Sequence, residues 1–122
     1  MMEKMPVNGG NISEEKIIRG LLSLYILREI SISPCHGYDL QQRIEKKTGM
    51  DLPPGTVYVL LKSLKERNFL NAERETNERN QEIFVYTITD DGINFLKDHY
   101  MALRIARGMI DDLLMTAENL NR

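Results

Sequence analysis

The segment LPPGTVYVLLKSLKERNFL, residues 52–70, contains a helix with two unlike faces. It opens with two prolines and a glycine, and its aliphatic residues fall on one side at about 100° per residue, as in a helix with one buried face. These aliphatic residues are Val57, Leu60, Leu61 and Leu64. The other side carries Thr56, Tyr58, Val59 and Lys62, a mixture that is unusual for a purely solvated surface. We therefore expect a helix over 55–68 whose outer face contacts a partner.

The residues before this segment predict two further helices and a flexible start. Ser13 is a suitable N-cap for a first helix over 14–31, which ends before Pro34 because proline disfavours helical geometry in the preceding residue. Apolar residues at helical spacing predict a second, short helix over 38–48. Residues 1–12 show no periodicity and are expected to form a mobile arm.

The stretch FLNAERETNERNQEIFVYTIT, residues 69–89, has β-forming residues on both sides of a polar centre. This pattern predicts a β-hairpin with a long charged loop. Three helices followed by a hairpin are typical of a winged helix-turn-helix, so the fold class is mainly α with a β-hairpin. In a helix-turn-helix the recognition helix, here the third, enters the DNA major groove, and the helix before it crosses the backbone.

The polar and basic residues of these elements suit DNA contact. Thr56 and Lys62 can hydrogen-bond to base edges or phosphates, whereas Tyr58 and Val59 offer apolar contact to thymine methyl groups. The second helix and the hairpin loop add basic side chains that can reach the DNA backbone. The predicted DNA-binding residues are Thr56, Tyr58, Val59, Lys62, Arg43, Lys46, Lys47, Arg74 and Arg79.

Composition and charge limit the class of protein. The 122 residues carry a net charge of −2 and are 42% hydrophobic, which indicates one globular domain and argues against a protein that coats nucleic acid nonspecifically. The positive charge is local, with six basic against four acidic residues between His36 and Arg67. The single Cys35, with neither a membrane span nor a signal-peptide pattern in the sequence, predicts a cytoplasmic protein without a membrane partner.

After Thr89, a suitable N-cap, the sequence predicts one helix of about 30 residues, over 90–119. Such a helix would be about 45 Å long, more than this small domain can cover, so its apolar residues need a partner from outside the chain. The alternative is a helix that kinks at Gly108 and folds back on its own domain. The predicted dimer-interface residues are Ile93, Leu96, Tyr100, Leu103, Ala106, Met109, Ile110, Leu113 and Leu114.

Three motifs carry a family resemblance, namely HGYDL (36–40), GTVYVLLKSLKERNFL (55–70) and VYTITDDG (85–92). In this order and at these separations they resemble the PadR family of transcriptional regulators. The resemblance implies a winged-helix homodimer joined by its C-terminal helix, which binds a two-fold symmetric operator and usually represses. It places Thr56, Tyr58 and Lys62 in the recognition helix and residues 74–82 in the wing.

The chain departs from the family pattern at several positions. Val59 stands where the family often has proline, and Asn68 where it often has glycine. Ile83 and Phe84 replace a frequent Arg-Lys pair before the second wing strand, so the wing is expected to contact DNA differently.

The remaining histidine, cysteine, tyrosine and acidic residues form no pattern typical of catalysis or ligand binding. His36 beside Cys35 lacks the further ligands of a zinc site and is expected to make a polar contact at the start of the second helix. Tyr38 is expected in the core or at its rim. Adjacent acidic pairs point in different directions on a helix, and no Gly-rich phosphate loop, GxSxG or HExxH motif occurs in the sequence, so an enzyme is not predicted. No metal and no cofactor are expected.

Three methionines of the last helix, Met101, Met109 and Met115, either fill a dimer interface or line a pocket for an unknown small-molecule effector. We predict a mobile arm over 1–12, a DNA-binding domain over 13–89 and a dimerisation helix over 90–122. The rival hypothesis is a winged-helix protein-interaction module that does not bind DNA.

Overall fold

A computed structural model of the chain describes residues 5–6 and 12–121. The described part contains helices and short strands in the order of a winged helix. These are β1 (Met5–Pro6), α1 (Ile12–Ile32), β2 (Cys35–His36), α2 (Gly37–Thr48), β3 (Met50–Asp51), α3 (Thr56–Glu66), β4 (Leu70–Thr76), β5 (Glu82–Ile88), α4 (Asp90–Asp98) and α5 (Tyr100–Leu120). The predicted fold class, mainly helical with a β-hairpin, is confirmed.

The core lies where α1, α2 and α3 meet and is closed on one side by the hairpin. Aliphatic residues from each helix are almost fully buried there, as the helical periodicity predicts. The largest of them are Leu22, Ile26, Leu27, Ile30, Leu40, Ile44, Leu61, Leu64 and Leu70. Burial of each such side chain contributes about 1.5–3 kcal/mol, so this cluster is what holds the three helices in a fixed arrangement.

The first helix starts earlier than its sequence signals suggest. It begins at Ile12, so Ser13 lies inside it and the predicted N-cap is wrong. The first turn of a helix lacks intrahelical N–H partners, which leaves its start weakly determined by any one residue. Of the predicted arm, Met5–Pro6 pairs in parallel with Met50–Asp51, and residues 1–4 and 7–11 lie outside the described residues.

The hairpin pairs β4 with β5 in antiparallel register, from Leu70 opposite Ile88 to Thr76 opposite Glu82. The connecting loop, residues 77–81, is shorter than the long charged loop that the sequence predicts. Polar residues 75, 76 and 82 continue the strands, because an exposed hairpin end does not require apolar side chains. A third strand, β2, which the sequence did not reveal, pairs with β5 through Cys35 and Tyr86.

The predicted single C-terminal helix is two helices, separated at His99. The ring Nδ1–H of His99 donates to the carbonyl of Phe95 at 2.7 Å, and the backbone N–H of His99 bonds to Leu96 instead. In a continuous helix the carbonyl of Phe95 would accept from the backbone N–H of His99. Here it accepts from the His99 side chain, which interrupts the series of backbone hydrogen bonds. The proposed kink at Gly108 is also wrong, because α5 runs unbroken through that residue.

Candidate nucleic-acid interface

Helix α3 divides cleanly into a buried and an exposed face. Val57, Leu61 and Leu64 are completely or almost completely buried, which anchors the helix to the core. On the opposite side Tyr58 is 48% exposed and Val59 is exposed beside it. The predicted contact residue Lys62 is exposed on the same side, whereas Thr56 is half-buried at the helix start.

The ring of Tyr58 is held by the start of α2. A Cβ added at Gly37 would lie 2.6 Å from Tyr58 Cε1, so the ring packs directly against the glycine and in its present position leaves no space for a larger residue. Burial raises the pKa of the Tyr86 phenol, and the nearby Tyr58 phenol raises it further. Tyr58 of α3 and Tyr86 of β5 therefore lie near each other.

The hairpin extends this surface from Tyr86. Residues 72, 74, 84 and 86 alternate onto one face of the hairpin, and residues 73 and 75 point to the other. Arg74 lies on the Tyr86 side, 3.2 Å from Glu82 and with its guanidinium 5.9 Å from the centre of the Phe84 ring. Glu73 and Glu75 are thereby separated from Arg74 by the sheet.

The tip of the wing is organised by Asn77. Its side-chain oxygen accepts from the backbone N–H groups of Arg79 and Gln81, at 3.0 and 2.9 Å. Asn80 adopts a left-handed conformation with φ of 62°, which asparagine tolerates better than most residues. The exposed side chain of Arg79 therefore projects from an ordered turn.

The three basic residues of α2 differ in their surroundings. Lys46 is exposed and Arg43 is half-buried near Cys35. Lys47 instead donates to Glu29 at 2.8 Å, and Arg28 also pairs with this completely buried carboxylate. Because a buried charge needs a partner, we assign Lys47 to the fold and leave it out of the proposed DNA surface.

Two acids near this surface also have local partners. Glu45 accepts from the backbone N–H of Leu52 at 3.0 Å, which ties α2 to the start of α3. The ring N–H of His36 donates to Asp39 at 3.1 Å, as expected for a polar contact at the start of α2.

Several residues of this surface were not singled out from sequence. Ser63 and Lys65 are exposed on α3, and the 3.6-residue period that exposes Lys62 predicts them as well. Phe84 and Tyr86 could have been found from the two-residue alternation of β5, because both share the face of Arg74.

The structure also locates Tyr38 and Cys35. Tyr38 is 63% exposed and accepts a hydrogen bond from Gln42 at 2.8 Å, so its placement in the core or rim is wrong. Cys35 is buried, and burial raises the pKa of its thiol while Arg43 opposes the shift. Over the described residues no cluster of three metal-ligating side chains occurs, and no helix is long and apolar enough to cross a membrane.

The predicted dimer-interface residues lie mostly on the surface of α5. None of residues 100–120, all described, is buried in the chain. Counted at about 100° per residue, the side chains from Ala102 to Leu120 form an apolar stripe along one face, which we call the α5 stripe. Its members are Ala102, Leu103, Ala106, Met109, Ile110, Leu113, Leu114, Ala117 and Leu120.

Three of the predicted interface residues fall outside this stripe. Leu96 packs partly against the core of its own domain, and Ile93 is exposed on α4. Tyr100 and Arg104 lie together off the stripe, with 5.9 Å between the guanidinium and the centre of the ring. Met101 also lies off it by the same periodicity, as does Met115.

Comparisons with known proteins agree with this architecture. Residues 24–98 match the model of the transcriptional regulator PadR-like family. A candidate transcriptional regulator of Thermoplasma acidophilum is 50% identical, with a TM-score of 0.78 over 81% of this chain and 95% of the other.

More distant solved structures share the fold. A PadR-like transcriptional regulator of Bacillus cereus, 22% identical, has a TM-score of 0.70 over 81% of this chain and 96% of the other. A PadR-family regulator of Eggerthella lenta, also 22% identical, has a TM-score of 0.70 over 82% and 87%. No curated protein matches the sequence. The chain belongs to the PadR-like family of transcriptional regulators, whose general function is regulation of transcription through binding to DNA.

Proposed function

We propose that the protein is a homodimeric repressor that binds a two-fold symmetric operator. The observation that carries this proposal is the outer face of α3, where Tyr58, Val59 and Lys62 are exposed beside the wing while the opposite face is locked in the core. This is the placement that a helix needs to enter the major groove. Arg74 and Arg79 on the wing, with Arg43 and Lys46 on α2, supply positive charge for phosphate contacts.

The proposed dimer rests on the α5 stripe. An apolar face of this length is unusual for a monomer, because large exposed apolar patches mark interaction sites. A two-fold dimer would bury the stripe of each copy against the other and present two copies of α3 to one DNA duplex. Occupation of a promoter by such a dimer excludes other proteins from the same DNA, which is the simplest route to repression.

Selection from random-sequence duplex DNA tests this proposal directly. We expect the purified protein to enrich an inverted repeat whose half-sites lie about one helical turn apart, about 34 Å. The selection is run at two stated salt concentrations, because nonspecific binding is lost steeply as salt increases. A single half-site would argue against the dimer, and enrichment of no sequence would argue against specific binding.

The selected operator then serves to test Lys62. Lys62→Ala should weaken operator binding by about 1–3 kcal/mol if the ammonium contacts a base edge. Lys97→Ala, a matched loss of an exposed lysine on α4, should leave the affinity unchanged. Both variants should unfold at the wild-type temperature. Equal affinities for wild-type protein and Lys62→Ala would show that the Lys62 side chain does not contribute to operator binding.

The rival function, a protein-interaction module, is favoured by one feature. The wing carries three exposed glutamates, Glu75, Glu78 and Glu82, against two arginines. If the selection enriches no DNA sequence and DNA binding disappears at physiological salt, the acidic wing would favour a protein-interaction module. Analytical ultracentrifugation separates the two questions, since a dimer without specific DNA binding would support the rival.

A further inference from the structure

Four side chains form a continuous stack between the end of α3 and the start of α5. They are Arg67, Phe69, Phe95 and His99, which we call the junction stack. We infer that the junction stack sets the direction in which α5 leaves the DNA-binding domain and thereby selects the spacing between operator half-sites. The inference rests on the proposed homodimer and its two-fold operator.

The stack begins where α3 ends. Asn68 has φ of 64° and Phe69 N–H bonds back to Leu64 at 2.9 Å, the geometry of a helix that closes on a left-handed residue. Asparagine here also donates to Asp91 at 2.9 Å, a bond that glycine at this position could not make. The C-terminus of α3 is therefore tied to the first turn of α4.

Further hydrogen bonds and a close approach fix the same junction. The Thr89 hydroxyl donates to the carbonyl of Asn68 at 2.7 Å and accepts from Gly92 at 3.0 Å, so it caps α4 while holding α3. A Cβ at Gly92 would lie 2.3 Å from the carbonyl oxygen of Phe69, which leaves room for glycine alone. These contacts make α3 and α4 one rigid unit.

Contacts between aromatic rings connect this junction to the start of α5. Phe69 and Phe95 stack with their centres 4.4 Å apart, and Phe95 lies 4.4 Å from the ring of His99. The Arg67 guanidinium covers both phenylalanine rings, at 4.8 and 5.0 Å from their centres. Such contacts of aromatic rings with each other and with cations restrict how the rings can tilt.

His99 is both the last member of the stack and the residue that separates α4 from α5. Its ring Nδ1–H donates a hydrogen bond to the carbonyl of Phe95. The backbone N–H of Leu103 donates to the carbonyl of His99 at 2.8 Å, which is the first hydrogen bond of the next helix. Since no residue of the described α5 is buried in the chain, the direction of α5 depends on this junction.

A small change of direction has a large consequence for the operator. The 21 residues of α5 span about 32 Å, so a rotation of about 10° at His99 displaces the far end by about 5 Å. One base pair of DNA rises about 3.4 Å. A change of this size at each junction of the proposed dimer therefore alters the separation of the two recognition helices by one base pair or more.

The test uses the full chain and the operator selected with wild-type protein. Duplexes carry the same two half-sites with the central spacer shortened or lengthened one base pair at a time, and a further duplex carries one half-site. His99→Ala removes the ring that interrupts the helix, and Phe95→Leu removes the centre of the stack. Asn94→Ala, an exposed change on the same helix, is the matched control.

We expect wild-type protein and Asn94→Ala to prefer one spacer by about tenfold, because a mismatched spacing must be met by twisting or bending the DNA. In His99→Ala and Phe95→Leu the preferred spacer length should change, or the difference in affinity between spacer lengths should shrink. The affinity for the single half-site and the dimeric state should stay unchanged. An unchanged spacer profile in both variants would overturn the inference and leave the proposed function intact. If wild-type protein selects no paired half-sites, both fail.

Discussion

The winged-helix part of the chain and α5 differ in whether their apolar side chains are buried. Between residues 22 and 70 most aliphatic residues of three helices are buried in a core formed within the single chain. In α5 the stripe from Ala102 to Leu120 has a similar helical period but remains at the surface of the chain. The same sequence signal, an amphipathic helix, therefore leads to burial within the chain in one region and to an unpaired face in the other.

This difference shows that helical periodicity identifies a face without identifying its partner. An isolated helix of this length is only marginally stable in water, so α5 needs packing to remain ordered. The domain is expected to respond to mutation through its own stability, whereas α5 should respond through association. Three experiments test this division.

The largest effect is expected in the core. Leu61→Ala, at a residue with 0% exposure, should lower the free energy of unfolding by about 2–5 kcal/mol, because the cavity adds to the lost burial. Leu120→Ala removes the same atoms from a residue that is 78% exposed in the single chain, and at concentrations low enough to keep the protein monomeric it should cost less than about 0.5 kcal/mol. Urea unfolding measures both. Equal losses would show that α5 is as integral to the fold as the core.

A comparable effect on association is expected in the α5 stripe. Leu113→Asp places a charge in the proposed interface and should weaken dimerisation by about 2 kcal/mol or more, or at least about 30-fold in Kd. The side chain is 66% exposed in the single chain, so the domain should still fold.

Asn119→Asp is the control, since it adds the same charge on the opposite face of α5. Sedimentation equilibrium over a range of concentrations measures the dissociation constant of each protein. Equal dimerisation of the two variants would place the contact surface elsewhere.

A smaller effect distinguishes neighbouring lysines within the domain. Lys47→Ala should destabilise the fold by about 1–3 kcal/mol, because it removes a hydrogen-bonded partner from the buried carboxylate of Glu29. Lys46→Ala removes an exposed lysine and should leave stability within about 0.5 kcal/mol of wild type. Thermal unfolding and operator binding are measured on both variants. If Lys47→Ala instead lowers only DNA affinity, its ammonium belongs to the interface.

Much of the fold followed from local patterns. The aliphatic spacing in 52–70 correctly predicts the buried face of α3, because periodicity and burial are linked directly in a single helix. Strand alternation likewise predicts the hairpin, although its loop is shorter than expected. The pairing of Lys47 with Glu29 could not be predicted, because a basic residue on α2 looks the same in sequence whether it faces only solvent or also a buried acid 18 positions away.

The sequence by itself determined the order of the three core helices and the hairpin, which helix faces are apolar and which family the chain resembles. These properties depend on neighbours a few positions apart along the chain. Only the tertiary structure decided that the Tyr58 ring packs on Gly37, and that Asn68 is joined to Asp91. It also placed the ring of His99 in the junction stack, beside the break between α4 and α5. Such contacts join distant segments whose mutual placement is set by packing of the whole domain, so no local pattern could reveal them.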